Sequence, residues 1–411
     1  MTPPRPAAPD RVVIINDASV ARGGATGLAL LAAREIRARG IDVTYVAGDA
    51  GDAPDLAVLG IELIAAGGAR LLDQPKLKSA AAGLWNGAAR ATLAGVVARD
   101  TPGTVYHVHG WAQILSPAIF AALAPVASRV VVHAHDRFLA CPNGVYHDFG
   151  HDRPCTRAPL GAACLTARCD KHSYPRKLWR VARQLALRRA FDQRRPWGAI
   201  VLIHPRMAQL MERAGYPPHR LTILRNPATP YTDTRVRAEE NRPLAFIGRI
   251  EREKGVAELT EAARRARIPL MVIGDGRERA ALAAAYPETR FEGWQDRAGI
   301  ARLIAGARAV VVPGRIPEPF GLVLAEASFS GLPVLVSESA FLAEEITAAG
   351  LGQSFDMDGP DALQAALTRF RDLPDAEVRA ISERAFARPA PLAQTTEAWV
   401  NGLLALYARL L

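Results

Sequence analysis

Short apolar runs rich in β-branched residues recur along the first half of the chain, at Val12–Ile15, Asp42–Ala47, Val105–Val108, Val130–His133 and Ala199–Ile203. Each has strand length and lacks polar alternation, the pattern of strands buried on both faces. Between the first two, Gly23-Gly24 marks a turn and Thr26 to Arg39 carries apolar residues on one helical face, ending at Gly40. Strand, glycine turn, helix and strand form a βα unit and imply a parallel sheet. The alternation restarts at Pro243–Gly248, followed by a helix over Val256–Arg267 and strands at Pro269–Gly274, Ala309–Val312 and Pro333–Val336. Gln394 to Leu411 reads as a closing amphipathic helix.

Two similar α/β halves predict a ligand cleft between them, at the C-terminal ends of the strands. The polar, proline-containing stretch from Asn226 to Pro243 is the natural linker. The expected division is residues 1–227, then 228–390, with 391–411 as a C-terminal helix packing back towards the first domain. At 411 residues and 49% apolar composition, the chain can bury two large cores. The longest apolar stretch, Ile114 to Ala127, is interrupted by Ser116 and Pro117 and is too short to span a bilayer. Met1-Thr2-Pro3-Pro4-Arg5 does not resemble a signal peptide, so a cytoplasmic protein is the expectation.

The net charge of +10 is local. Residues 151–200 hold ten Arg and two Lys against three Asp, a surplus of +9. No recognition motif for nucleic acid accompanies that charge, so no nucleic-acid partner is expected. Lys171 to Arg195 reads as one basic helix with interleaved apolar residues. It is either an ordinary amphipathic helix or a surface for anionic lipid on the inner face of the cytoplasmic membrane.

Two segments carry candidate chemistry. Pro313 to Ala327 runs from a buried strand through a Pro/Gly-rich loop into a helix. The amides of Phe320, Gly321 and Leu322 then face outward at a helix start, a ready anion site. Glu318 precedes that helix and Glu326 lies inside it, and carboxylates accept hydrogen bonds from sugar or ribose hydroxyls. Gly248 to Gly255 also follows a strand, and offers Arg249 and Lys254 as two cations suited to a diphosphate. Taken singly, the glutamate pair reads more readily as a helix-start carboxylate and a solvated one, and the Arg249–Lys254 segment suits a charged surface turn at least as well.

In this order the motifs resemble the retaining glycosyltransferases of family 4, which have the GT-B fold of two Rossmann-like parallel-sheet domains facing a central cleft. The resemblance rests on Gly23-Gly24, His135-Asp136, the Gly248-Arg249 to Lys254-Gly255 turn, and Gly274-Asp275-Gly276. It continues through Phe291-Glu292-Gly293-Trp294 and the pair Glu318 and Glu326. It implies that Arg249 and Lys254 bind the donor diphosphate, that Glu326 holds the ribose, and that Glu318 faces the sugar. Gly274, Gly293 and Trp294 would border the nucleotide, and Gly23 and Gly24 would let a loop approach the phosphate. His135 would hydrogen-bond the transferring sugar. The implied donor is a UDP- or GDP-sugar, the acceptor lipid-linked or glycan, with no cofactor required for catalysis. Alternatives are a non-hydrolysing nucleotide-sugar epimerase and a non-catalytic sugar-nucleotide-binding scaffold. Ala340-Phe341-Leu342-Ala343 and Gly314 depart from the family pattern at sugar-contacting positions.

All four cysteines, Cys141, Cys155, Cys164 and Cys169, fall in one window, expected as an insertion over 137–175. A structural zinc, two disulfides or four reduced thiols all suit the spacing, which lacks any CxxC pair. Some family-4 enzymes carry a similar Cys-bearing insertion, which implies a structural role.

Overall fold

The computed structural model describes residues 8–21, 23–357, 361–388 and 391–411. The chain divides into two compact units, one of residues 1–225 with 397–411, the other of residues 226–396.

The first unit is built on a seven-stranded parallel sheet. Its strands are β1 (Arg11–Asn16), β2 (Asp42–Ala47), β3 (Glu62–Ala65), β4 (Thr104–Val108), β5 (Val130–Ala134), β8 (Ala199–Leu202) and β9 (Leu221–Ile223). The two short strands β6 (His147–Asp148) and β7 (Arg153–Pro154) pair separately as an antiparallel hairpin. The sheet order is β3-β2-β1-β4-β5-β8-β9. The chain therefore winds outward from β1 in one direction and from β4 in the other, and β1 and β4 flank a topological switch point. Every residue of β4 and β5 is buried, which is why these strands read as unbroken apolar runs apart from their histidines.

The second unit repeats the plan with six parallel strands: β10 (Leu244–Ile247), β11 (Leu270–Ile273), β12 (Arg290–Gly293), β13 (Ala309–Val312), β14 (Val334–Ser337) and β15 (Gly352–Phe355). Their order is β12-β11-β10-β13-β14-β15, with the switch point between β10 and β13. One contiguous core joins the strands to the helices Val256–Ala266, Leu322–Phe329 and Ala362–Arg371.

The stretch expected as a linker is instead part of this core. Val236 and Ala238 are buried, Arg235 forks onto Glu239, and Asn241 donates to the carbonyls of Ala305 and Ala307. Apolar anchors spaced through a polar segment were enough to fold it onto the body. At the other end, the main chain of Gln394 pairs with Asn226 and Ala228 in the second unit. The helix Thr396–Ala408 buries Trp399, Val400, Leu403 and Tyr407, and 397–411 belong to the first unit. No helix among the described residues is long and apolar enough to cross a membrane.

Candidate functional site

Ligands of open parallel α/β sheets bind beyond the strand C-termini at the switch point. In the second unit, the Arg249–Lys254 loop leaves β10 and the Glu318 loop leaves β13, the two strands that flank it. Lys254 Nζ meets Glu318 Oε2 at 2.6 Å, with both side chains about a quarter exposed. Arg249 pairs with Glu251 at 2.9 Å and is largely exposed.

Glycines let these loops interlock. Gly255 has φ +70°, and a Cβ there would fall 2.0 Å from the Pro313 carbonyl oxygen. Gly274 has φ +142°, and its Cβ would fall 1.9 Å from the Gly248 oxygen. Only glycine fits such approaches. Gly321, at φ +74°, precedes the helix Leu322–Phe329, whose first amides have no carbonyl a turn earlier to receive them. Phe320 is buried beneath that turn.

Glu326, one of the two sequence-expected carboxylates, is not merely a solvated one. Oε1 accepts from Arg297 at 2.9 Å and Oε2 from the Tyr231 hydroxyl at 2.9 Å. Arg297 also lies 5.0 Å from the Tyr231 ring and donates to the carbonyls of Thr229 and Pro230. Lone pairs remain on both oxygens of Glu326 for further donors. Tyr231 and Arg297 had no signal in sequence, since each meets Glu326 across a long chain separation. Gly293 is buried with φ +71°, and its carbonyl accepts the Gly274 amide at 2.8 Å, while Trp294 beside it is 75% exposed.

In the first unit, Gly23 caps the helix Gly24–Ala38 in extended backbone, and a Cβ on it would meet nothing. Neither strain nor crowding requires glycine there. Asp17, just beyond β1, is buried and accepts the amides of Gln113, Ile114 and Leu115 at 2.8–2.9 Å. Burial raises its carboxyl above the ordinary range, although the three amides pull the other way.

His135, beyond β5, is one member of a larger group. His107 lies in β4 with His109 just beyond its end, and His133 lies in β5 with His135 just beyond its end. The pairing of His107 with Val131 puts all four on one sheet face. His109 Nδ1 lies 2.9 Å from His135 Nε2, and His107 Nδ1 lies 2.6 Å from the Tyr407 hydroxyl. Burial holds the first three rings well below the ordinary imidazole range and brings His135 down to about 3. Two His-x-His repeats on adjacent apolar strands were the sequence signal for this group, and only His135 was singled out from it.

The four cysteines are free thiols that line one small cavity with Asn143, Arg157 and Lys177. Disulfide pairing, one of the sequence expectations, is therefore absent from the structure. Burial pushes Cys141 up to about 11 and raises Cys169. The buried Lys177 donates to the carbonyls of Cys164 and Ala167. Among the described residues, the donor atoms that cluster tightly enough to share one ion belong instead to His107, His109 and His133.

Part of the basic window is spent internally. Arg157 pairs with Asp148, Arg180 with Asp170 and Arg194 with Asp192. Arg183 is buried among Trp111, Phe138 and Trp179 and donates to the Ala112 carbonyl. Burial lowers its guanidinium to about 10. The helix Tyr174–Ala190 is shorter than the expected 171–195; of its arginines, Arg180 and Arg183 tether and pack, while Arg176 and Arg189 are exposed.

Two doubly wound parallel units, with cations and carboxylates beyond the central strands of the second, define the GT-B glycosyltransferase fold. Residues 233–387 match the family described as glycosyl transferases group 1. The chain is 33% identical over 131 residues to a GDP-mannose-dependent alpha-mannosyltransferase of Mycolicibacterium smegmatis, covering 31% of this chain and 35% of that protein. It thus spans about a third of the length of the curated relatives it matches. Among solved structures, HepE of Anabaena in complex with UDP aligns with TM-score 0.65 and 16% identity, over 97% of this chain and 100% of that one. WaaG, a glycosyltransferase involved in lipopolysaccharide biosynthesis, aligns with TM-score 0.66 and 18% identity, over 95% and 98%.

Proposed function

We propose that this chain is a retaining glycosyltransferase of the family-4 type, which moves a sugar from a nucleoside diphosphate sugar to an envelope or polysaccharide acceptor. The observation that carries this reading is the Lys254–Glu318 pair, which joins the two loops of the second unit's switch point.

A diphosphate arriving there competes with Glu318 for the Lys254 ammonium. Glu318, once released, accepts hydrogen bonds from the sugar. Arg249 swings from Glu251 to the second phosphate, and the amides of Phe320, Gly321 and Leu322 add the field of a helix N-terminus. Charge on the diphosphate grows as the glycosidic bond breaks, so these contacts tighten most in the transition state. The acceptor then attacks the oxocarbenium-like sugar from the face the diphosphate leaves, which retains the anomeric configuration. Glu326 uses its remaining lone pairs for ribose hydroxyls, and the Gly293-Trp294 corner borders the base. His135 of the first unit is the candidate for a hydrogen bond to the transferring sugar. UDP- and GDP-sugars are the donors to test, from the UDP bound to HepE and the GDP-mannose in the mannosyltransferase's name. A lipid-linked acceptor follows the lipopolysaccharide role of WaaG. Leu178 and Leu185, exposed on the helix Tyr174–Ala190, are the apolar contacts available for membrane docking.

Lys254→Ala and Glu326→Ala should each lower transfer by about 100-fold or more, the scale of losing one preorganised charge contact. Far-ultraviolet circular dichroism should stay unchanged. Diphosphate release measured against a panel of donors and acceptors reads the loss, and full activity in either variant overturns the assignment.

A further inference from the structure

The histidines of β4 and β5 do more than a single sugar-contacting group requires. His107, His109 and His133 are 0%, 4% and 3% exposed. Each offers one donor atom, and the three atoms lie within 4.8 Å of one another. Three neutral imidazoles in the interior of a parallel sheet cost desolvation, and aliphatic residues would fill the same face without that cost.

The nitrogens are also unevenly satisfied. Tyr407 takes Nδ1 of His107, which leaves Nε2 for the cluster. His135 takes Nδ1 of His109, and His109 Nε2 is buried without a partner. His133 Nε2 is likewise buried without a partner. His107 Nε2 and His133 Nδ1 stand 3.3 Å apart, long for a hydrogen bond between rings. Two ligands on a tetrahedral ion, each at about 2.0–2.1 Å from it, are separated by about 3.3–3.4 Å.

We propose that His107, His109 and His133 form a binding site for a divalent transition-metal ion, zinc or cobalt in class, within the first unit. The inference is independent of the glycosyltransferase reading. The ligand chemistry fits, because imidazole nitrogen without carboxylate suits zinc, cobalt, nickel or copper and not magnesium or calcium. A ligating histidine donates its far N–H to an oxygen acceptor, and the Tyr407 hydroxyl oxygen is placed to accept from His107 Nδ1. Three histidines leave a fourth position for water or for a ligand atom.

The site has a consequence for its neighbour. Metal on His109 Nε2 obliges Nδ1 to carry the proton and donate it to His135 Nε2. The remaining proton of a neutral His135 is then fixed on Nδ1. The ion would set the tautomer of His135 without touching it.

The test is a Co²⁺ titration of the metal-depleted full chain, followed by visible absorption. One equivalent should bind with the d–d bands of a tetrahedral site and without thiolate-to-cobalt charge transfer, which separates this site from the cysteine cavity. His133→Gln should weaken the affinity by more than about 100-fold, beyond the loss of an outer contact, while Cys155→Ser should leave it unchanged. X-ray absorption of the zinc-loaded wild-type chain serves if the histidine variant fails to fold. It should give nitrogen neighbours at about 2.0 Å and no sulfur at about 2.3 Å. A folded wild-type chain that takes up no ion, or a sulfur-dominated spectrum lost in Cys155→Ser, overturns the proposal.

Discussion

Gly255 shows how tightly single residues constrain the donor-side loops. With φ +70° and a hypothetical Cβ 2.0 Å from the Pro313 oxygen, it cannot be exchanged without moving one of two loops. Gly255→Ala should therefore cost about 2 kcal/mol or more, from the left-handed backbone and the clash together. It should also weaken nucleotide binding, because Lys254 is its neighbour. Urea denaturation with and without UDP or GDP reads both effects, and an alanine variant of wild-type stability would mean that the Pro313 loop yields freely. By contrast, Gly23 has open space around it and an extended backbone. The two glycine motifs look alike in sequence, yet only the second-unit glycines are demanded by the fold itself.

Among elements, the central strands were legible and the edges were not. All nine strands read from apolar runs are present to within a residue or two at their ends. The four strands missed from the two parallel sheets, β3, β9, β12 and β15, are the two edges of each; the two-residue strands of the β6-β7 hairpin were missed as well. An edge strand is covered less fully, so β3 reads Glu-Leu-Ile-Ala and β15 reads Gly-Gln-Ser-Phe, without the continuous apolar run of a central strand. The candidate site divides in a similar way. Residues in loops after central strands could be found from motifs, whereas Tyr231 and Arg297 reach Glu326 only through the fold. An ion pair between loops shows the same long-range logic. Asp100 and Arg129, which precede β4 and β5, form a two-pronged contact at 2.9 and 2.6 Å, and Tyr106 donates to the same carboxylate. Burial pushes Asp100 up, but the hydrogen bonds of Arg129 and Tyr106 outweigh it and hold the carboxyl below its ordinary range. Its stabilisation is therefore present above about pH 3.9, the unfolded value, and is lost as pH falls through the lower folded value. Arg129→Ala should cost about 2 kcal/mol at neutral pH and less under acid, so its stability should depend less steeply on pH below about 4. Chemical denaturation across an acid series checks the slope.

For the whole molecule, the decisive feature is that one unit is built from two distant pieces of chain. The sequence suggested a closing helix but could not say which residues it would cover, because an amphipathic face does not name its partner. In the structure Trp399, Val400, Leu403 and Tyr407 are fully buried, and Tyr407 bonds His107 inside the first sheet. A chain ending at residue 396 should lose cooperative unfolding of the first unit and retain that of residues 226–396. Hydrogen exchange should report this as fast exchange across β4 and β5 with protection kept in β10 and β13. Equal protection of both sheets in the truncated chain would mean that the helix is dispensable.

The same discontinuity bears on how the protein is made. On a ribosome, residues 1–225 emerge before 226–396, yet their unit lacks the helix that bonds His107 until residue 397 and beyond have been synthesised. At about 5–20 residues per second, that delay is on the order of ten seconds or more. The second unit, contiguous in sequence, is complete before it. Nascent chains of this protein should therefore complete their folded halves in the reverse of the order in which they are translated, with the histidine face of β4 and β5 lacking its Tyr407 and Trp399 neighbours during the interval.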